Sequence, residues 1–414
     1  MSVHQIPLQP WMTAAPLVRV LAALTAGGAD ARIVGGAVRN AVMNLPVEEV
    51  DLATPETPPR VMERLAKAGI KVVPTGLDHG TVMAVTGDQT FEITTLRQDT
   101  ACDGRHADVA FTTDWSEDAR RRDFTFNAMS LRADGTLFDD HGGFKDAQAG
   151  VVRFVGDPTD RMREDYLRIL RLFRFFAWYG RAPLGPATLA AVQREADGLA
   201  RLSGERVQQE VSKLLAAPAP LLAVKVMEET DVLAQILPEA RTTDVFAKLL
   251  TLETNVEGRD WLLRLAALLP AQDEAAHSVA DCLKLSNAER DRLAALLRAQ
   301  PVLDDRAAPL DLRRALYRHG GALVQARLLL TWARQAGQKN AAPWRALLET
   351  AAQWTPRTLP IGGEDILTLG VAPGPAVGRL LRAAEEWWIG AGFAPGRDDV
   401  LAHVADLAAD QINP

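Results

Sequence analysis

The periodicity of the chain changes near residue 158, and that change limits the folds open to it. From about residue 16 to residue 150, short apolar runs alternate with glycine-containing turns; from about residue 158 onward leucine, alanine and arginine dominate and turn residues thin out. A strand repeats every two residues and a helix every 3.6, so the second region cannot extend a sheet begun in the first. In the first region ARIVGG (31–36) reads as a short buried strand ending in a glycine turn, AVRNAVMNL as a helix, and EEVDLAT (48–54) as the next strand. VMERLAKAGI (61–70) is amphipathic. KVVPTG, GTVMAVTG and TFEITTLR are separated by turn residues, which predicts antiparallel strands. SLRADGTLFDD (130–140) predicts a hairpin with Asp134 and Gly135 at its tip. The expected class is α+β: a small mixed head followed by a long all-α remainder. Its 414 residues exceed one core, so two to four domains are expected. Breaks are expected near Pro218, Pro220, Pro238, Pro270, Pro309 and Pro356 to Gly363.

Composition excludes several function classes. No apolar run approaches the roughly 20 residues a membrane helix needs. MSVHQIPLQPW has neither the basic nor the apolar region of a secretion signal, so a cytoplasmic protein is expected, with Cys102 and Cys282 as reduced thiols. The seven histidines form no HxxxH or HD pair, which gives no support to a zinc or HD-type hydrolase centre. A net charge of −7 argues against a surface coated with nucleic acid but leaves room for a local basic groove. Arginines gather at 120–122 and at 161, 163, 168, 171 and 174, a pattern that suits such a groove or a solvated helix face.

Four segments carry possible chemistry. In the first, Glu49 and Asp51 stand two apart, which on a strand puts both on one face. Two carboxylates there can bind Mg²⁺ through oxygen at about 2.1 Å, or form a polar strand edge. Gly35 and Gly36 let backbone N–H groups approach a triphosphate, with Arg39 near a helix start to bind it. In the second, RRDFTFNA (121–128), Arg122 and Asp123 can meet the sugar and phosphates of a nucleotide, or pair with each other at a helix end. In the third, EDYLRILRLFRFF (164–176), helical spacing makes Asp165 and Arg168 neighbours. Together they offer an acceptor beside donors. Cytosine and adenine present an amino group beside a ring acceptor, so such a pair can select C and A without a template; a plain helix salt bridge would use the same residues. In the fourth, TACDGRHADVAFTTD (100–114), Asp103 and Arg105 sit in a polar stretch between strand signals, as in a mobile loop beside a site or an ordinary solvent loop.

In this order, and followed by GERVQQEVSKLL with Glu205 and Arg206, these segments resemble the class II tRNA nucleotidyltransferase and bacterial poly(A) polymerase family. The pattern is GGxVRD with DxD, a flexible loop, RRDFTxNA, EDxxR and an ERVxxE-type segment. DDHGGFKDAQAG (139–150) looks like the family's joining stretch. The resemblance covers about residues 30 to 240, and 361–395 looks like the C-terminal segment of some members. It implies a polymerase-β-type catalytic head (1–148), a helical nucleotide-recognition neck (149–238), a helical body (239–355) and a helical, tRNA-binding tail (356–414). The implied reaction is template-independent addition of C, C and A to the 3′ end of tRNA from CTP and ATP, with Mg²⁺, a two-metal mechanism and release of pyrophosphate. Partners are then the tRNA 3′ end and the two nucleotides, with no membrane and no obligate protein partner.

Carried over residue by residue, the resemblance makes Glu49 and Asp51 the catalytic metal ligands. Gly35, Gly36, Arg39, Arg122, Asp123, Asn127, Asp165, Arg168 and Arg171 become nucleotide-binding residues, with Asp103 and Arg105 in the flexible loop. Glu92, in TFEITT, is a further carboxylate near the metals. Two positions depart from the pattern: Glu49 and Asn40 each stand where the family usually has aspartate. Glu49 keeps the charge and reaches one methylene further; Asn40 removes a charge that could orient Arg39. Poly(A) synthesis or addition of only part of CCA is the close alternative, and a catalytically inactive RNA-binding protein is the distant one.

Overall fold

The structure, a computed structural model, describes residues 1–102, 107–240, 243–253, 259–298, 303–335 and 341–412. Two compact units divide the chain, Met1–Pro238 and Glu239–Pro414.

The first unit is built on one mixed sheet. Its strands are β1 (Ser2–Gln5), β2 (Arg32–Val34), β3 (Asp51–Thr54), β4 (Lys71–Gly76), β5 (Thr81–Thr86) and β6 (Gln89–Thr95), with β9 (Ser130–Leu131) and β10 (Thr136–Asp139); β7 (Arg97–Cys102) and β8 (Ala107–Phe111) pair separately. The order across the sheet is β1-β10-β9-β2-β3-β6-β5-β4. Among the described strands only β3 and β6 run parallel, with Leu52 opposite Ile93. Ile33, Leu52, Ile93, Val82, Leu131 and Leu137 are fully buried and make the sheet's core layer. The three antiparallel strands β4, β5 and β6 and the hairpin turning at Gly135 (φ +86°) follow the sequence expectation.

The first nine helices are α1 (Ala15–Thr25), α2 (Gly36–Met43), α3 (Pro58–Lys67), α4 (Trp115–Arg120), α5 (Gly143–Ala149), α6 (Pro158–Glu164), α7 (Leu167–Tyr179), α8 (Pro186–Glu195) and α9 (Gly204–Leu215), of which α2, α7 and α9 and the ends of α4 and α6 carry the site. α7 buries Ile169, Leu170, Leu172, Phe173 and Phe176 and carries Arg168, Arg171 and Arg174 at successive steps of three on another face.

Two expectations about local structure need correction. Glu49 lies outside the strand, because β3 begins only at Asp51. The last β2 partner is Val34, opposite Asp51; beyond it Gly35 turns the neighbouring chain away, and Glu49 has no ladder partner. Asp165 likewise lies off the helix: it is extended (φ −156°, ψ 108°) between α6 and α7. The shared-face arguments built on a strand for Glu49 and on a helix for Asp165 therefore fail.

The second unit is helical among its described residues. Its longest helix, Pro309–Arg334, begins at a proline and kinks at Gly320 (φ +77°). Leu312, Leu316, Leu328, Trp332 and Trp344 form one core, and Ile366, Leu380, Trp388, Val400 and Val404 form another. Among the described residues no helix is long and apolar enough to cross a membrane.

Candidate active site

Where β2 meets α2, Gly35 adopts φ +70° and ψ −131°, a conformation that glycine alone adopts without strain. A Cβ built there would stand 3.6 Å from Arg122 Nη1 and 3.9 Å from Asp51 Oδ2, so three candidate residues meet at this turn. Beyond it opens a cavity of about 450 Å³, lined by Gly35, Gly36, Arg39, Arg122, Asp123, Asn127, Asp165, Leu167, Arg168, Arg171, Phe175 and Arg206. All nine residues expected to bind nucleotide thus face one space. Five guanidinium groups and two carboxylates line it, which suits a polyanionic ligand.

Arg39 is buried, and burial pushes its guanidinium below the ordinary value. Nε and Nη2 donate to Asn40 Oδ1 at 3.1 and 2.9 Å, Nη1 donates to Asn127 Oδ1 at 2.8 Å, and Nη2 also donates to the Tyr179 hydroxyl at 2.8 Å. The guanidinium carbon lies 4.1 Å from the Tyr179 ring centroid. Asn40 therefore still orients Arg39, contrary to the expectation from its missing charge. The acceptors named are all neutral, which leaves the positive charge available to a phosphate.

The RRD segment is wired from beneath. Buried Asp118, on α4, accepts from Arg121 Nη2 at 2.7 Å and from Arg122 Nη2 at 3.1 Å. Burial raises the Asp118 carboxyl, but Arg122 and Arg121 outweigh it and hold it below the usual range. Asp123 is also buried, with both oxygens engaged: Oδ1 accepts from the Phe124 backbone N–H at 2.8 Å and from Asn127 Nδ2 at 3.1 Å, and Oδ2 accepts from Arg171 Nε at 2.8 Å. Against the cost of burial, Arg171 and Asn127 keep its carboxyl below the ordinary value. A buried relay therefore runs from Arg39 through Asn127 and Asp123 to Arg171. Arg174 continues the α7 row and pairs with Glu210 of α9 at 2.9 Å, so this arginine face is internal and paired, not solvated. Phe175 lies 5.3 Å below Arg39 and 4.4 Å from Arg174, as an apolar floor.

At the other end of the cavity Asp165 pairs with Arg206 at 2.7 Å and accepts from the Leu167 backbone N–H at 3.1 Å. Arg168 instead bonds Glu164 and donates to the Arg161 carbonyl at 3.0 Å. The plain Asp165–Arg168 helix salt bridge is thus absent; an acceptor and two guanidinium groups still border the same space. Arg206, Leu167 and Phe175 were not among the expected site residues. ERV pointed to Arg206 through the resemblance; Asp118, three and four residues before the arginines it holds, had a spacing signal, and Tyr179 had none. Asp103 and Arg105 lie outside the described residues.

The carboxylates gather beside the cavity. Leu52 opposes Ile93, so one step earlier Asp51 and Glu92 are neighbours on parallel strands. Loss of water, then the charges of Glu92 and Glu49, raise the Asp51 carboxyl above its ordinary value, and Arg122 offsets this in part. Such an undercompensated acidic site fits a divalent cation. Among the described residues no three ligands are close enough to hold a metal unaided.

The family described as poly A polymerase head domain matches residues 31–153, and that described as probable RNA and SrmB-binding site of polymerase A matches residues 183–243. Mouse (Mus musculus) CCA tRNA nucleotidyltransferase 1, mitochondrial, is 35% identical over 384 residues, spanning 91% of this chain and 86% of the mouse protein. The chain belongs to the tRNA nucleotidyltransferase and poly(A) polymerase family. It is a nucleotidyltransferase with the α+β class expected of that family. The CCA-adding enzyme of Bacillus subtilis is 39% identical over 222 residues, 53% of this chain and 54% of that protein. Among solved structures, the Bacillus stearothermophilus CCA-adding enzyme in complex with CTP superposes with a TM-score of 0.77 at 26% identity, covering 97% of this chain and 99% of that one. The Thermotoga maritima CCA-adding enzyme complexed with tRNA shares the fold, with a TM-score of 0.67 at 21% identity over 99% of both chains.

Proposed function

We propose that this nucleotidyltransferase adds C, C and A to the 3′ end of tRNA, taking CTP and ATP in turn and releasing pyrophosphate. The observation that carries the reading is the single cavity with an arginine-rich, glycine-turn end beside Asp51 and an Asp165 end offering an acceptor beside guanidinium donors. Gly35, Gly36 and Arg39 take the triphosphate at the start of α2. Arg122, held by Asp118, reaches the sugar–phosphate end. Asp123 acts one step back, fixing Arg171 and Asn127. Asp165 keeps free lone pairs and accepts from the amino group of C or A, while Arg168 or Arg206 donates to the ring nitrogen. Guanine and uracil present carbonyl and N–H in the opposite order and are refused.

The divalent ion is Mg²⁺, with Asp51 and Glu49 to hold it and Glu92 beside them. Held there, a divalent ion would supply positive charge to screen the triphosphate and to acidify the attacking hydroxyl. The helical unit after Pro238 holds the body of the tRNA through shape and phosphates, so affinity falls steeply with salt. The compartment assigned is the cytoplasm.

The CCA-adding relatives support this reading over poly(A) synthesis or partial addition. The internally complete arginine network and Asp51 site support it over an inactive RNA-binding protein. The test is direct: purified protein, Mg²⁺ and tRNA ending before CCA are incubated with CTP, ATP or both, and the 3′ ends are sequenced. Ends completed to CCA only with both nucleotides are expected. A long A tail would overturn the reading in favour of poly(A) synthesis, and tRNA binding without incorporation would overturn it in favour of an inactive protein.

A further inference from the structure

Asn40 touches two parts of the site at once. Its Oδ1 accepts from Arg39 Nε and Nη2, and its Nδ2 donates to the Pro46 carbonyl at 2.7 Å. The amide orientation is dictated by its neighbours, since a guanidinium can only donate and a carbonyl oxygen can only accept. Pro46 lies in the segment that leaves α2 through Asn44 (φ +55°) and carries Glu49 toward Asp51. That segment makes no ladder until β3 starts, so the Asn40 amide is a tether on the stretch bearing Glu49. An aspartate at this position would keep the acceptor for Arg39 but would set oxygen lone pairs against the Pro46 carbonyl.

We infer that Asn40 is a positioning residue for nucleotidyl transfer, coupling the Arg39 anion site to the segment that presents Glu49, and that the amide is required there. The two departures from the family pattern, Asn40 and Glu49, are then one adaptation: the longer acid is served by a segment that only an amide can tie down. The inference rests on the proposed metal role of Asp51 and Glu49.

The test measures Mn²⁺ binding by the full chain without nucleotide, with free Mn²⁺ read by electron paramagnetic resonance. By charge alone, Asn40→Asp would tighten a cation site. The tether predicts the opposite, a loss of about tenfold, as for other residues that orient metal ligands. In a Glu49→Ala background the same substitution changes affinity less than about twofold, because the coupled partner is gone. Asn40→Gln, which keeps donor and acceptor, retains more affinity than Asn40→Asp. Unchanged or tighter binding in Asn40→Asp, an equal loss in both backgrounds, or Asn40→Gln falling below Asn40→Asp overturns the inference. Asp51→Ala separates the two levels: if it leaves Mn²⁺ binding intact, the metal reading fails; if it abolishes binding while Asn40→Asp does not weaken it, only the tether fails.

Discussion

Asp51 ionises beside Glu92 and Glu49 with Arg122 in partial compensation, and its carboxyl sits above the ordinary range because water is withdrawn and two like charges are near. A raised carboxyl means that the folded protein holds the proton more tightly than the unfolded chain. Ionisation therefore opposes folding, and the penalty is present at neutral pH and disappears as pH falls below the unfolded-state value. Asp51→Asn should abolish CCA addition yet raise the melting temperature of the metal-free protein at pH 7, with the gain vanishing in acid. A lower melting temperature at pH 7 would show that the charge is compensated. At the proposed base-reading end, Asp165→Ala should leave tRNA binding intact and weaken discrimination against GTP and UTP, read as misincorporation at the 3′ end; unchanged base choice would assign Asp165 to holding Arg206 alone. That Asp51 and Asp165 border one site was legible in the sequence because motif spacing marks a residue whatever its local backbone. The contacts of Asn40 and Tyr179 were not, since both depend on partners brought close by folding: Pro46 across a turn, and Arg39, 140 positions from Tyr179.

Periodicity located many helices and strands, yet it read 100–114 as a loop where β7 and β8 pair antiparallel, and it misplaced Glu49 and Asp165 at element ends. The α6–α7 break is invisible in EDYLRILRLF because Leu and Arg spacing runs through it. Asp165 turns its carboxylate onto the Leu167 N–H, the local side-chain bond that competes with helix continuation. β1 was missed because SVHQ is short and lies at the sheet edge, where no alternation of buried and exposed residues is imposed. The joint between α7 and the head includes an ion pair of the buried Asp123 carboxylate with the half-buried Arg171, beside the Arg39–Tyr179 hydrogen bond and the Phe124–Phe175 ring contact. Asp123→Ala would leave Arg171 without that partner and Asn127 without its acceptor, and should cost about 2–3 kcal/mol, below the range for a fully buried pair because Arg171 is partly exposed and keeps Glu210 nearby. Urea unfolding of the first transition measures it. Because Arg171 and Asn127 hold the Asp123 carboxyl below its ordinary value, this contribution is present at neutral pH and declines as pH falls through the carboxylate range. The wild-type and variant midpoints should converge in acid.

Across the whole molecule the α+β class was legible because the change from period two to period 3.6 is a property of long stretches, insensitive to one misplaced residue. Strands of the sheet end at Asp139, before the helical texture begins. What no periodicity reports is that segments up to 171 positions apart, from Gly35 to Arg206, close around one space of about 450 Å³. That convergence has a kinetic consequence. If Asp165 and its arginines read C and A alike, and Arg39 takes either triphosphate, then CTP and ATP occupy the same cavity and exclude one another. With tRNA ending in CC, where only A is to be added, CTP should inhibit ATP incorporation competitively: KM for ATP rises with CTP while kcat holds. Arg39→Ala should raise the KM for ATP and the inhibition constant of CTP together, because both lose the same phosphate contact. An inhibition that lowers kcat without moving KM, or an Arg39→Ala effect confined to one nucleotide, would require a second nucleotide site elsewhere in the chain.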